Sequence, residues 1–355
     1  MPRVLWIEQP GATSELVGGK VASLAEMSAA GFAVPPAFGV TTEAFAEFAA
    51  AAGLAERVAA IRAGLDVDDV AAVERASAEI AALIGAAELP AAVEAEIREA
   101  YAELEQRAGE SVPVAVRSSG VNEDLEGASF AGQYDTYLWV QGGDEVVANV
   151  RRCWAGLFNP AVLTYRPEGV EAAAAAELPG MGVGVQEMAR ARSAGVMFTL
   201  DPISGDRSKV VIESCWGLGE GVVKGDVSPD RHRVDKVTLE VLERELVEQD
   251  EEYRFDPATG EVRLLAVPAE RRGEGSISEQ EAVAIAELGK RVERHRGAPT
   301  DVEWAIDVDG RLHLLQARPE TVWSARQEGG VSAGKEGDAV GRVMATFLGS
   351  SRGAK

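Results

Sequence analysis

The sequence has 355 residues, of which 46% are hydrophobic, and a formal net charge of -23 at pH 7. A chain of this size can bury one large core or two lobes. The negative charge argues against nucleic acid or an anionic membrane as a partner, because both attract clustered lysine and arginine.

Two cysteines, Cys153 and Cys215, are too few for a disulfide framework or a four-cysteine zinc site. Without a signal-peptide core or a long apolar run, we expect a soluble cytoplasmic protein.

A Gly-Gly-Lys tripeptide at 18–20 precedes a helical pattern over 21–30, for which Gly31 is a plausible C-cap. A helix start and a lysine ammonium both favour anions, so Lys20 is a candidate phosphate contact. The stretch is not a Walker A loop, since Ser14 replaces its first glycine and Val21 its magnesium-binding hydroxyl. A surface lysine beside a tight turn is the commoner meaning of such a tripeptide.

Further helical patterns cover much of the region up to residue 108. They extend from a cap at Thr41 to about 52, and over 55–63, 68–84 and 90–108. Their charged residues are best interpreted as solvated faces, so these helices are expected to be structural.

The stretch from Val112 to Val140 holds a loop between two strand-like runs. The first run delivers Arg117, and the second covers Thr136 to Val140. The loop between them is small and acidic, and its amides and hydroxyls could surround a polyphosphate with the Arg117 guanidinium at its rim. An ordinary hairpin with a long surface loop and a solvated arginine is the alternative, and this stretch alone does not decide between them.

Strands and turns alternate in the second half of the chain. Strand patterns cover 182–188, 194–199, 210–215 and parts of 231–265, and a capping box of Ser278 with Glu281 starts a helix that reaches about 294. A glycine cluster at 216–225 does not fit the dinucleotide fingerprint, because Val222 occupies the third glycine position.

The last hairpin is a candidate metal site. An Asp-Gly pair at 309–310 predicts a two-residue turn, which places Glu303 across from Gln316 and Asp301 across from Arg318. A carboxylate and an amide oxygen side by side could both bind a magnesium ion. A three-residue bulged turn would instead send Glu303 and Gln316 to opposite faces, and an exposed polar pair on a sheet is the simpler interpretation.

Taken in order, these motifs resemble the ATP-binding region of the phosphoenolpyruvate synthase family, which pyruvate phosphate dikinase, rifampicin phosphotransferase and phenylphosphate synthase share. The resemblance covers nearly all of residues 1–322. The motifs that resemble the family are GGK, VAVRSS…ED…ASFAGQYDTYL, VQEMARARSAGVMFTLDP, IESCWGLGEGVVKGDVSPD and DVEW…LLQARPET. The resemblance implies an α+β protein of the ATP-grasp fold, with ATP and Mg²⁺ held between two lobes at 1–190 and 191–322. The remaining residues, 323–355, are first rich in Gly, Ser and charge, which predicts a linker, and the apolar run over 340–348 could begin a truncated following domain.

The resemblance also implies roles for individual residues. Lys20, Arg117 and Arg318 would contact phosphates, and the loop over 117–136 would close over them through Ser129, Gly132 and Thr136. Gln186, with the Glu187 and Met188 backbone, would lie at the adenine hinge, while Glu303 and Gln316 would hold magnesium. Glu213 and Lys224 fall in a matching motif without a firm role.

In this family a separate domain carries a histidine that accepts the phosphoryl group. None of the chain's histidines, His232, His295 and His313, stands in such a motif. We therefore expect an ATP-binding domain or subunit that phosphorylates a histidine on another domain or chain for transfer to pyruvate. The alternatives are a phenol or an antibiotic as acceptor, a catalytically silent nucleotide-binding protein, and a truncated enzyme.

Overall fold

A computed structural model describes residues 2–121, 135–164, 178, 180–320 and 323. The described strands are β1 (Val4–Trp6), β2 (Ala37–Val40), β3 (Val114–Gly120), β4 (Thr136–Val140), β5 (Met181–Glu187), β6 (Ala191–Phe198), β7 (Lys209–Trp216), β8 (Asp230–Asp235), β9 (Val241–Glu245), β10 (Glu251–Asp256), β11 (Glu261–Ala266), β12 (Thr300–Asp307) and β13 (Leu312–Pro319). The described helices are α1 (Ser14–Ala29), α2 (Thr42–Ala51), α3 (Leu54–Ala63), α4 (Val70–Ala86), α5 (Ala91–Ala108), α6 (Gly143–Gly156), α7 (Pro160–Thr164), α8 (Glu220–Lys224) and α9 (Glu279–Arg296).

The helix boundaries follow local capping signals. The Thr41 side chain accepts the Ala44 N–H at 3.2 Å and begins α2, as predicted. The predicted capping box of Ser278 and Glu281 begins α9. Helix α5 is followed by Gly109, which adopts the left-handed conformation that commonly terminates helices.

Among the described residues, no single helix is long and apolar enough to cross a membrane. One pair, α4 and α5, meets the criteria of length and composition together, but the two helices are bent by 83° at their junction. Both helices contribute buried side chains, Ile80 and Ile97 among them, to a hydrophobic core.

The first of two compact units comprises Met1–Ala25 and Pro36–Met188. Its sheet has the order β1-β2-β5-β3-β4, and its neighbouring strands are antiparallel. Helices α2 and α4 to α6 contribute to the core with apolar residues of this sheet. In that core the Trp154 ring stacks on Phe48 at 5.2 Å between centroids and lies 5.6 Å from Phe45.

Helix α1 packs directly on the backbone of this sheet, because glycines lie beneath it. A Cβ added at Gly182 would lie 2.3 Å from the Val17 carbonyl oxygen, and one at Gly184 would lie 3.0 Å from a Val21 methyl carbon. Any side chain at these positions would push the helix outward. The glycines therefore allow the start of α1 to approach β5 and its neighbour β3.

Within α1, Gly18 interrupts the helix with φ 76° and ψ 166°. Only glycine adopts this conformation readily. A Cβ at Gly18 would also lie 1.8 Å from the Ser119 carbonyl oxygen, at the end of β3. Both the kink and the close contact with Ser119 therefore require a glycine at position 18.

The second unit comprises Glu26–Pro35 and the chain from Ala189 onward. Its larger sheet has the order β13-β12-β6-β7-β8-β9, and β10 and β11 form a separate pair. Helix α9 approaches one face closely, since a Cβ at Gly289 would lie 2.8 Å from the Met197 sulfur. On the other face, Phe198, Val211 and Val222 belong to a smaller apolar cluster. The predicted α+β class is confirmed by the helices and antiparallel sheets of the two units.

The predicted two-residue turn of the last hairpin is wrong, although the predicted pairing is right. Asp307 N–H donates to the Arg311 carbonyl at 3.0 Å, so that residues 308–310 form a three-residue turn with Gly310 at φ 81°. A β-bulge between the pairs Glu303↔Gln316 and Trp304↔Leu314 then shifts the register back. The two irregularities cancel, which is why Glu303 still faces Gln316.

The predicted loop over 117–136 is shorter than expected at both ends. Strand β3 continues through Arg117 to Gly120, and Thr136 is the first residue of β4. The Ser-Ser-Gly sequence at 118–120 lacks bulky residues, but its strand pairing with β5 satisfies its backbone. The rest of this loop, which includes Ser129 and Gly132, lies outside the described residues.

We expect the Gly18→Ala variant to lower the free energy of unfolding by about 3 kcal/mol or more, through backbone strain and the collision with Ser119. The matched control is Gly109→Ala, since Gly109 shares the φ of 76° but has no atom within 4 Å of its added Cβ. We expect about 1 kcal/mol for the control. Equal losses for the two variants in denaturant titrations would refute the collision with Ser119.

His232 in β8 is a buried titratable group whose protonation affects stability. It has 0% exposure, and its ring nitrogens find no hydrogen-bond partner within the described part of the chain. Burial lowers the pKa of His232 below 6.5. The charges of Asp230 and Glu279 oppose this shift, and the charge of Arg244 adds to it. The folded unit therefore holds a neutral imidazole.

The stability contribution of His232 has a definite sign. Above the unfolded pKa of about 6.5 both states are neutral, and below it the unfolded state takes up the proton first. Stability is therefore lost as the pH falls below about 6.5 toward the lowered folded pKa. We expect the melting temperature to fall less between pH 7.5 and pH 5 in His232→Met than in the unchanged protein. The control Ile212→Val, on the paired strand position, should lower the melting temperature equally at both pH values, and an unaltered pH dependence in His232→Met would contradict the assignment.

Candidate functional site

Arg117 lies on the face of the first unit's sheet that α1 covers. Across the strands it is paired with Gly184 of β5 on one side and with Thr136 of β4 on the other. Paired residues of an antiparallel sheet point to the same face, so two predicted site residues, Arg117 and Thr136, lie side by side. Ser118 points to the opposite face and is fully buried. It therefore belongs to the core side of the strand.

Lys20 is placed beside this face by the start of α1. The next residue, Val21, donates its backbone N–H to the Ser119 hydroxyl oxygen at 3.2 Å. Ser119 is two positions from Arg117 on the same face of β3, a distance of about 7 Å along a strand. The structure thus brings the chain segments of two predicted cationic residues together within the first unit.

The predicted adenine hinge lies at the end of β5. Gln186 is 3% exposed, and its side-chain nitrogen Nε2 has no hydrogen-bond partner among the residues described. The backbone N–H of Glu187 donates to Pro36, and that of Met188 donates to Pro113, both at 2.9 Å. These two N–H donors are therefore already engaged, which leaves the Gln186 amide as the buried donor available to a ligand.

In the second unit, the hairpin of β12 and β13 places its polar residues on one face. Glu303 pairs with Gln316, and Asp301 pairs with Arg318, whose Nε lies 3.5 Å from the Asp301 carboxylate. Asp301 is 6% exposed, and burial raises its pKa to about 7 despite the nearby arginine. Its Oδ1 atom has no hydrogen-bond partner within the described ranges.

The same face continues across the sheet to Glu213, for which the sequence suggested no role. Glu303 pairs with Val196 of β6, and Val196 pairs with Glu213 of β7. Glu213 is 3% exposed and accepts hydrogen bonds from Arg231 at 2.8 and 3.2 Å through Oε1, while Oε2 has no partner in the described part of the unit. A glutamate inside an otherwise apolar strand was the available sequence signal. Lys224, in α8, instead forms an ion pair with Glu220 at 2.9 Å.

The donor atoms on this face fit a magnesium ion that shares its ligands with phosphate. Among the described residues, no group of three or more His, Cys, Asp or Glu could hold a metal ion alone. Magnesium in phosphoryl-transfer sites is usually bound by one or two protein oxygens, with substrate phosphates and water completing the octahedron. Glu303 and Gln316 offer oxygens of this kind, and the unpartnered Oδ1 of Asp301 lies at the neighbouring pair.

Comparison with known proteins identifies the family. Residues 14–337 match the family described as pyruvate phosphate dikinase, AMP/ATP-binding domain. Because this match covers most of the chain, the protein belongs to that family.

The chain is also similar to curated relatives of greater length. It is 40% identical over 357 residues to a probable phosphoenolpyruvate synthase of Methanocaldococcus jannaschii, covering 99% of this chain and 29% of the relative. It is 38% identical to the phosphoenolpyruvate synthase of Aeropyrum pernix, covering 99% and 46% of the two chains, and 39% identical to that of Escherichia coli, covering 92% and 43%. The chain therefore spans less than half the length of these relatives.

A solved structure, D-alanyl-alanine synthetase A from Vibrio cholerae, aligns with 74% of this chain and 57% of its own. The identity is 12% and the TM-score is 0.27, so this alignment carries no argument about the fold.

Proposed function

We propose that this chain is the Mg-ATP-binding part of a phosphoenolpyruvate synthase-like phosphotransferase, with the ATP-grasp fold of its family. Lys20, Arg117 and Arg318 would bind phosphate oxygens, and Glu303 with Gln316 would bind the magnesium ion. The single observation that carries the proposal is the pairing of Glu303 with Gln316 next to Asp301 and Arg318. A bulge that restores this register favours a functional pair over an incidental one.

The buried polar atoms support a ligand of this chemistry. An unpaired buried polar group costs about 1–3 kcal/mol, so that proteins seldom keep one without a reason. The buried atoms without a hydrogen-bond partner in the described part of the chain include a donor, Nε2 of Gln186, and two carboxylate oxygens, Oδ1 of Asp301 and Oε2 of Glu213. A nucleotide base presents acceptors that could bind the Gln186 donor. A metal ion requires oxygen ligands and a ribose hydroxyl requires an acceptor, and carboxylate oxygens can serve as either.

Phosphoryl transfer requires mainly positioning and charge stabilisation from the protein. In this proposal the guanidinium groups of Arg117 and Arg318 and the ammonium of Lys20 offset the charge on the transferring phosphoryl oxygens. A bound magnesium ion would supply further charge neutralisation on those oxygens. No nucleophile of this chain is required, since the acceptor would be a histidine on another domain or chain. The names of the relatives favour pyruvate as the final acceptor.

The proposal is tested by calorimetric titration of the chain with ATP, with and without Mg²⁺. Magnesium-dependent binding is the expected result, followed by phosphorylation of the histidine domain of a related synthase. A folded chain that binds no nucleotide would contradict the proposal, and binding without phosphoryl transfer would support a catalytically silent nucleotide-binding protein.

We expect Arg117→Met to weaken ATP binding by about tenfold or more, because a hydrogen bond to a charged group contributes about 1.5–3 kcal/mol. The control is Arg98→Met in the same unit, which removes an arginine paired with Glu94 and Asp144. The dissociation constants of both variants are measured by calorimetry, and their melting temperatures verify folding. Equal affinities in Arg117→Met and the unchanged chain would remove Arg117 from the site.

We expect Glu303→Gln to raise the magnesium concentration needed for half-maximal ATP binding, because a neutral amide is a weaker ligand than a carboxylate. The control Glu243→Gln, on β9 at the far side of the same sheet, should leave the magnesium titration unaltered. A titration that is the same for Glu303→Gln and for the unchanged chain would refute the metal assignment.

A further inference from the structure

We infer that Ser119 is a positioning residue for Lys20, an inference that rests on the proposed function. Its hydroxyl, supplied from strand β3, caps the helical turn on which Lys20 lies. The argument uses only residues of the first unit, and neither the sequence motifs nor the family comparison gives Ser119 this role.

The part of α1 that follows the kink at Gly18 lacks a local capping side chain. Gly18 leaves the helical conformation, so the regular helix begins at Gly19 and Lys20 is its second residue. The residue at the N-cap usually provides a side-chain oxygen for the N–H of the second or third helical residue. Gly18 has no side chain, and the third residue, Val21, donates instead to the Ser119 hydroxyl at 3.2 Å across 98 positions of sequence.

The steric contacts explain why the cap comes from another strand. A side chain at Gly18 would collide with Ser119, whose carbonyl oxygen and hydroxyl oxygen would lie 1.8 and 2.4 Å from the added Cβ. A local serine cap is therefore excluded by the same packing that brings Ser119 close. Gly18 and Ser119 therefore act together, since the glycine provides space and the serine provides the capping oxygen.

The Ser119 cap fixes the helical turn that carries Lys20 relative to the strand that carries Arg117. Ser119 is fully buried, so its hydrogen bond to Val21 is protected from water. Arg117 projects from the same strand face two residues earlier. This hydrogen bond joins the turn that carries Lys20 to the strand that carries Arg117, and both side chains are proposed to contact phosphate.

The test compares Ser119→Ala with a variant that loses an equivalent cap elsewhere in the unit. Thr41→Ala is the matched control, because the Thr41 hydroxyl is also fully buried and caps α2 at 3.2 Å. Dissociation constants for Mg-ATP are measured by calorimetry, and melting temperatures are measured in parallel. We expect both variants to melt at lower temperature, but only Ser119→Ala to bind ATP about fivefold to tenfold more weakly, a coupling typical of residues in contact.

A double-mutant cycle separates positioning from a general structural effect. If Ser119 acts through Lys20, the Ser119→Ala change should alter the ATP dissociation constant by less than about twofold in the Lys20→Met background. The same fold-change in both backgrounds, or no change in either, would overturn the inference. If Ser119→Ala does not fold, Ser119→Cys is the alternative variant, because its thiol is a weaker acceptor of similar size. It should bind ATP with intermediate affinity, and an unchanged affinity would overturn the inference. Failure of the unchanged chain to bind Mg-ATP would refute the proposed function itself, which is a different outcome.

Discussion

The close approach of α1 to the glycine-bearing face of the first sheet is the constraint on which that unit's candidate site depends. Gly182 and Gly184 place no strand side chains beneath the helix, and Gly18 has neither room for a Cβ nor an ordinary conformation. Protein interiors are packed densely enough that one additional methyl group is felt. The position of Lys20 beside the Arg117 strand is therefore a consequence of backbone packing.

The second unit reaches its arrangement by a different route, namely the register of a hairpin. Side chains alternate across a sheet with a period of two, so a shift of one residue would move Gln316 to the other face. The three-residue turn at 308–310 introduces one such shift, and the bulge near Leu315 removes it. Together they align Gln316, Glu303, Val196 and Glu213 in one row across four strands.

These two routes explain what the sequence could and could not predict. Local signals such as the Thr41 cap and the Ser278 capping box act within one turn, and they placed their helices correctly. The Asp-Gly pair predicted the right register for the wrong reason, because a compensating bulge has no clear signature in sequence. The role of Ser119 depends on a contact across 98 positions, and the row that reaches Glu213 depends on sheet order. Neither follows from local pattern, since both arise only when distant segments of the chain come together.

Several of the candidate site's features are unfavourable for stability in the absence of a ligand. The Asp301 carboxylate is almost fully buried, and its pKa is raised to about 7. Among the residues that the structure describes, neither its Oδ1 atom nor the buried Nε2 atom of Gln186 has a hydrogen-bond partner. Hydrophobic residues of similar size would avoid these costs. Polar atoms retained in such positions are understandable if a bound group completes their interactions, since a ligand that binds only the folded state also stabilises it. Groups that weaken the unliganded fold thus support the ligand site that the pairing of Glu303 with Gln316 indicates, because packing alone gives no reason to keep them.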